Sequence, residues 1–442
     1  MLIESYTKAL TQSAAEHGIT KLHFHIENIE KRDVMVFNGD VQNICASSES
    51  LLLVEGEHNG FAGSAYCEDL NTDNLTKVID NIIQTASINK QKYVEKPIHN
   101  LDEPKNDDVS FDTQKFAEKL LEAERATRIM VNNIEAFRIW LSHTQKTIKL
   151  INGHGARMTD KVSFFSINAN IMAKDSGQVQ TAHYHRIFND EFSDFKEIAI
   201  NAAAEACQML NSKPCASGRY AAVIKNDAFA ALFGAFLPAF YAEKCQSKMS
   251  FLMSKGDSAI GSTAFSVHED PNNIIRRRFD DEGTLTAMKC LIDKGKLVNY
   301  FHNIHTAAST EKKQKSNGNG FRQNYNEGIS SAYTNVVIEV GDKSLDTLLL
   351  EMGDGLLITA CDGIFAGVNP VSGDFSVISK GYMVRGGVLA EPVSGITIGG
   401  SLYDILSAAE DCGRDQITIH GNTGVVTSPS IRLSEIVVTG KI

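Results

Sequence analysis

The sequence predicts an α+β protein: two helix–strands–helix units, then a large β-rich C-terminal domain interrupted by one apolar helix. Three observations carry this. The order helix, strands, helix occurs twice within the first 216 residues. From Ser217 the texture changes to glycine-punctuated strands that continue to Ile442. A single apolar helix, Asp227 to about Cys245, lies among them. At 442 residues the chain can bury a large core, and domains are expected at 1–100, 101–216 and 217–442. The matching order of the first two suggests an internal duplication.

Leu2, Ile3, Tyr6, Ala9, Leu10 and Ala14 recur at helical spacing, and Gly18 ends that helix. In Lys21–Ile26 the alternation has period two, so Leu22, Phe24 and Ile26 face a core. His23 and His25 then point away, which predicts a solvated strand face rather than a metal site. Asn38-Gly39-Asp40 and Asn59-Gly60 mark turns between further strands. A second helix is expected from about Asp73 to Ser87, then a polar linker over 90–111.

The second unit opens with a helix near 112–132 carrying Phe116, Leu120, Ala123, Ala126 and Ile129. Strands follow to about Phe188, with turns at Asn152-Gly153 and Asp175-Ser176-Gly177, and a helix near 194–211 closes the unit. In the C-terminal part Asn226 is the expected N-cap of the apolar helix. Pro238, inside it, should kink or end it. Strands are expected at Tyr220–Ile224, Val336–Val340, Leu356–Thr359 and Ile436–Thr439.

Composition excludes several classes. With 43% apolar and 22% charged residues the chain is ordinary for a soluble globular protein. No stretch approaches the ~20 apolar residues of a membrane span, and the N-terminus lacks the pattern of a signal peptide. A cytoplasmic location is expected. The eight cysteines form no CxxC pair and are expected to be reduced, mostly buried thiols. A net charge of −11 disfavours nucleic acid. The basic clusters Arg276-Arg277-Arg278 and Lys312-Lys313-Gln314-Lys315 are short and flanked by acidic residues.

No phosphate loop, dinucleotide fingerprint, HExxH or GxSxG motif is present. His302 with His305, and His183 with His185, have no third ligand nearby in sequence. Phe279-Asp280-Asp281-Glu282-Gly283 is expected to be a solvated turn. The loop Ser316-Asn317-Gly318-Asn319-Gly320-Phe321-Arg322 could bring backbone close to a ligand.

Together these segments resemble the TldD/PmbA family, also classed as peptidase U62 and once called gyrase modulators. The similarity runs through Gly60-Phe61-Ala62-Gly63-Ser64-Ala65, Phe251–Gly256 and Arg278–Thr284. It continues through Leu291–Gly295, Ala307 and Ala308, Ser316–Arg322, Gly353–Leu356, Pro429–Leu433 and the terminal Val438-Thr439-Gly440. Each segment is unspecific; their order is not. In this family TldD-type chains carry HExxxH on the apolar helix and a later cysteine, which hold the metal. Counting back from Ser250, those histidine, glutamate and histidine positions fall at Phe233, Gly234 and Pro238. Cys412 lies near the place of the family's cysteine.

The resemblance therefore implies a PmbA/TldE-like subunit with no catalytic residue and no metal of its own. Zinc is expected in a TldD-type partner, the pair degrading small or unfolded peptides. Ser316, Asn317, Gly318, Asn319 and Arg322 are the expected peptide-binding loop. Neither membrane nor direct nucleic-acid contact is expected, and the isolated chain is expected to be a homodimer. A different class of function stays open: a non-enzymatic homodimer that regulates a toxin or a topoisomerase. So does a hydrolase with an unrecognised Ser or Cys nucleophile.

Overall fold

The structure, a computed structural model, describes residues 3–67, 74–104, 109, 111–189, 194–310, 314–323 and 327–440. Its first 216 residues build one antiparallel sheet. Helix α1 (Ile3–Glu16) leads into β1 (Ile19–Phe37), β2 (Asp40–His58), β3 (Phe61–Cys67) and α2 (Leu75–Asn89). Then α3 (Thr113–Met130) leads into β4 (Ile134–Asn152), β5 (Arg157–Asp175), β6 (Gln178–Phe188) and α4 (Phe195–Gln208). The strand order is β3-β2-β1-β4-β5-β6, so the two units meet in the central β1–β4 pair. Asp73 and Leu2, and with them Lys312 and Lys313 of the second basic cluster, lie outside the described residues.

Turn chemistry sets the hairpins. Asn38 and Gly39 take φ of +47° and +87°, and Asn59 and Gly60 take +54° and +84°. Two consecutive left-handed residues match the twist of tight hairpins, and Asn-Gly is the cheapest pair to hold them. Tyr6 and Leu10 of α1 and Val78, Ile79 and Ile82 of α2 cover Leu22, Phe24, Ile26, Leu52 and Val54. Helices α3 and α4 cover the other half through Phe116, Leu120, Phe195 and Ala202 against Phe137, Ile139, Phe165 and Ile167. Ile129, expected on that apolar face, is exposed in the last turn of α3. The 90–111 linker is not uniformly polar either, since Ile98 and Phe111 are buried.

In the C-terminal part, β7 (Gly218–Ile224) pairs with Gly355–Asp362 on one side and Ile431–Thr439 on the other. That sheet continues through Asp374–Arg385 to Val388–Ser401, which pairs back onto Ile431–Thr439 and closes a barrel. A second sheet holds Val267–Glu269, Lys289–Asp293, Asn335–Ile338, Ile417–His420 and Val425–Ser428. Between barrel and second sheet lies α5 (Asn226–Phe236). Phe229, Phe233 and Phe236 pack in one core with Ile358, Ile398 and Leu433 of the barrel and Val267, Val336 and Val426 of the second sheet.

The apolar helix is shorter than expected. It stops at Phe236, a 3-10 turn Leu237–Phe240 carries Pro238, and a separate short helix spans Ala242–Gln246. Pro238 cannot donate a helical hydrogen bond, so the break falls where it stands. Lys225, not Asn226, is the cap residue. Asn226 is the first helical residue, and its amide donates to the Asp415 carbonyl.

Candidate functional site

Phe233 lies on α5 with ring contacts to Phe229, Phe240 and Phe265 and no exposed surface. A side chain on Gly234 would begin 3.3 Å from Val426 Cγ2. Pro238 begins the turn after the helix. None of the three offers a donor atom to a metal. The Cys412 thiol donates to the Ala264 carbonyl, and burial, with Asp411 and Glu339 beside it, pushes its pKa up to about 12. A neutral thiol is a poor zinc ligand. The residues at these positions do not fit the family's metal.

The segment Phe279–Gly283 is not a solvated turn. Phe279 and Asp280 are fully buried, and Asp281 and Glu282 are nearly so. Asp280 accepts hydrogen bonds from the main-chain N–H of Glu282, Thr284 and Gly320. Asp281 accepts from Arg277 at 2.8 Å and from the Arg322 main chain at 2.9 Å. Acidic residues in sequence look like a surface turn; here they tie three segments together as buried acceptors.

The strand face at β1 is likewise not solvated: His23 and His25 are buried. Helices cover one face of β1; on the other, Asp281 reaches His25 and Tyr93 meets His23. His25 Nε2 lies 2.9 Å from Glu27, whose second oxygen pairs with Lys146 at 2.7 Å. Burial pushes Glu27 up, but His25 and Lys146 outweigh it and hold it below the ordinary value. Asp281 is also held down, as burial is outweighed by His25, Arg277 and Lys146. His23 falls to about 4, chiefly through burial and then through Lys96. His25, Glu27 and Asp281 bring ligand-type atoms within 4.8 Å of one another. Lys146 and Arg277 already neutralise both carboxylates, so the cluster is an ion-paired joint between sheet and C-terminal part.

The loop at 316–322 packs against this joint. Gly320 passes so close to Glu282 that a Cβ there would fall 2.4 Å from the carboxylate. Asn319 is fully buried, its amide bonded to Glu269 and the Ala332 carbonyl. Ser316 and Asn317 bond to the His302 and Tyr300 main chain. Gly318 takes φ of +80°. The Gly320 and Arg322 amides are spent on Asp280 and Asp281, and the Arg322 side chain is mostly buried. It reaches Glu55 at 3.2 Å on the wall of a cleft of about 400 Å³. Glu282, Lys96, His305 and Ser64 share that wall.

The histidine pairs go elsewhere. His302 is half-buried, with burial lowering its pKa, while His305 is exposed. His185 bonds Asn168 and has its ring 5.0 Å from that of His420, and His183 is exposed. Arg277 and Arg278 of the basic cluster both pair with Asp160. All eight cysteines are free, with Cys45 exposed. No described helix is long and apolar enough to cross a membrane.

Residues 217–440 match the PmbA/TldA metallopeptidase C-terminal domain, and 104–210 match the central domain of that family. The chain belongs to the PmbA/TldD family. It is similar to the metalloprotease PmbA homolog of Haemophilus influenzae, 26% identical over 311 residues, covering 67% of this chain and 64% of that one. Metalloprotease PmbA of Escherichia coli O157:H7 is 22% identical over 393 residues, 85% of this chain and 84% of that one. The aligned stretch spans 59% of the Buchnera aphidicola (Baizongia pistaciae) PmbA homolog, and for it and the Haemophilus protein this is under two thirds of their length. Among solved structures, TldE from Thermococcus kodakarensis superposes with TM-score 0.88 at 20% identity, over 98% of this chain and 100% of that one. A protein named as a modulator of DNA gyrase, from Thermotoga maritima, gives 0.87 at 23%, over 99% and 100%. At these identities the likeness establishes the shared PmbA/TldD fold.

Proposed function

We propose that this PmbA/TldD-family chain is the PmbA/TldE-like subunit type, holds no catalytic metal, and works beside a TldD-type metallopeptidase subunit on small or unfolded peptides. The observation that carries the reading is α5 with the turn after it, where Phe233, Gly234 and Pro238 take the three places the family gives to HExxxH. Its role is structural and substrate-guiding, with Arg322 on the cleft wall as a contact for the peptide. A net charge of −11 supports a partner other than nucleic acid, and a cytoplasmic setting suits eight free thiols.

Purified alone and dialysed, the chain is expected to hold no stoichiometric zinc and to show no peptidase activity. Adding a TldD-type chain should produce activity. Substituting the glutamate of that partner's HExxxH should abolish it, because the metal-bound water loses its base. In the assembled pair Arg322→Ala should raise KM and leave kcat nearly unchanged. Chelator-sensitive activity of the lone chain, or one zinc per chain lost on mutating His302 or His305, would overturn the proposal.

A further inference from the structure

The cleft beside Glu282 has an uneven charge account. Of the three cations lining it Lys92 is exposed, while Lys96 and Arg322 both bind Glu55, at 2.9 and 3.2 Å to the same oxygen. They outweigh burial and hold Glu55 below the ordinary carboxylate value. Glu282 has no such partner. One oxygen accepts the Ile304 amide at 2.7 Å, and among the described residues the other accepts nothing and meets no cation. The side chain is more than nine-tenths buried, yet it lines the cleft. A buried carboxylate normally has a cation or several donors, so one left half-satisfied on a cavity wall lacks a ligand.

We propose that this cleft binds the protonated amine of a peptide, with Glu282 as its counter-ion. A volume of about 400 Å³ suits the end of a peptide or one long side chain, and is ordinary for a ligand site. The geometry suits an ammonium donor. Ile304 fixes one carboxylate oxygen and Gly320 lets the loop pass close behind, which leaves the second oxygen facing the space. With the cleft empty, burial pushes Glu282 up to about 7, with Glu55 and Asp281 adding to it and the Ile304 amide and Lys96 opposing. Asp280, behind it, is raised as well by burial and by Glu282 itself. Arg322 pairs with Glu55 and not with Glu282, and His305 and Lys92 are exposed residues of the lining. An arriving ammonium therefore favours the ionised carboxylate, so its binding releases protons from Glu282. That the amine is carried by a peptide rests on the function proposed above; the need for a cation does not.

Calorimetry on the full chain at pH 7 tests this with n-butylamine and three unfolded peptides. One has a free amino terminus and no lysine or arginine, one is its acetylated form, and one is acetylated but carries a single lysine. Butylamine and at least one amine-bearing peptide should bind, with proton release seen as a dependence of the heat on buffer ionisation. The acetylated, lysine-free peptide should bind at least about tenfold more weakly, and Glu282→Gln should lose about as much for every amine. Whether the free-terminus or the lysine peptide binds better identifies the source of the amine. Butylamine binding with no peptide binding would keep the cation site and reject the peptide. Equal binding of the acetylated peptide, no proton release, or undiminished amine affinity in Glu282→Gln would overturn the site and leave the metal-free-subunit reading to its own assay. Should Glu282→Gln fail to fold, the acetylation and buffer dependence of the unaltered chain decide.

Discussion

Asp281 and Glu282 are adjacent and titrate in opposite directions. Asp281 is surrounded by His25, Arg277 and Lys146 and lies below the ordinary range, whereas Glu282 has no paired cation and lies at about 7. A depressed carboxylate adds stability above its unfolded value, lost as the pH falls toward the folded one. A raised carboxylate does the reverse: its contribution is full below the unfolded value of about 4.5 and is lost by about pH 7. Over that window the native chain should lose roughly 3 kcal/mol relative to Glu282→Gln, measured as denaturant midpoints at pH 4.5 and 7.5. A difference that stays constant with pH would show that Glu282 titrates normally. Arg277→Met should cost about 3–5 kcal/mol, because buried Asp281 loses the cation bonded to it and Asp160 keeps only Arg278. In Arg277→Met/Asp281→Asn the cost should fall well short of the sum of the single changes.

At the scale of elements, α5 is committed to the core. Its aromatic side chains fill the space between barrel and second sheet, and that packing occupies the face a metal motif would need. Installing the motif as Phe233→His/Gly234→Glu/Pro238→His should therefore fail to create a zinc site. Phe233→His places a polar ring among Phe229, Phe240 and Phe265, and Gly234→Glu pushes against Val426. The expected loss is at least about 3–5 kcal/mol by chemical denaturation, with no zinc retained after dialysis. Retained stoichiometric zinc would mean that the fold preserves a latent site.

For the whole molecule, the central β1–β4 pair makes one sheet of the first two units. Their register runs from His23 opposite Asn152 to Phe37 opposite Arg138, a long seam of main-chain hydrogen bonds. Residues 1–100 expressed alone expose that whole edge of β1, and an uncovered edge recruits another strand. Light scattering should show self-association of this fragment, suppressed when 101–216 is supplied. A monodisperse, folded monomer would mean that the seam is dispensable.

The sequence by itself determined the element order, the Asn-Gly hairpins, the break at Pro238 and the family, because these depend on local backbone preference or on the order of segments along the chain. Period two correctly put Leu22, Phe24 and Ile26 on the core side of β1. It could not show that the opposite face is covered too, since the covering segment is about 250 residues away in the chain. Asp280, Asp281 and Glu282 depart from their local pattern for the same reason. Three acidic residues before a glycine have the local signature of a solvated turn, and only the meeting of β1, the Arg277–Glu282 segment and the 316–322 loop makes them buried acceptors. The glycines at 316–322 mark a close backbone approach in the sequence, but the neighbour Gly320 approaches is the chain's own Glu282, which local sequence cannot name. The cleft was not legible at all. Its wall joins Glu55, Lys96, Glu282 and Arg322 from four separate stretches, and which of those charges pair, and which one is left over, is decided only by distance in the fold.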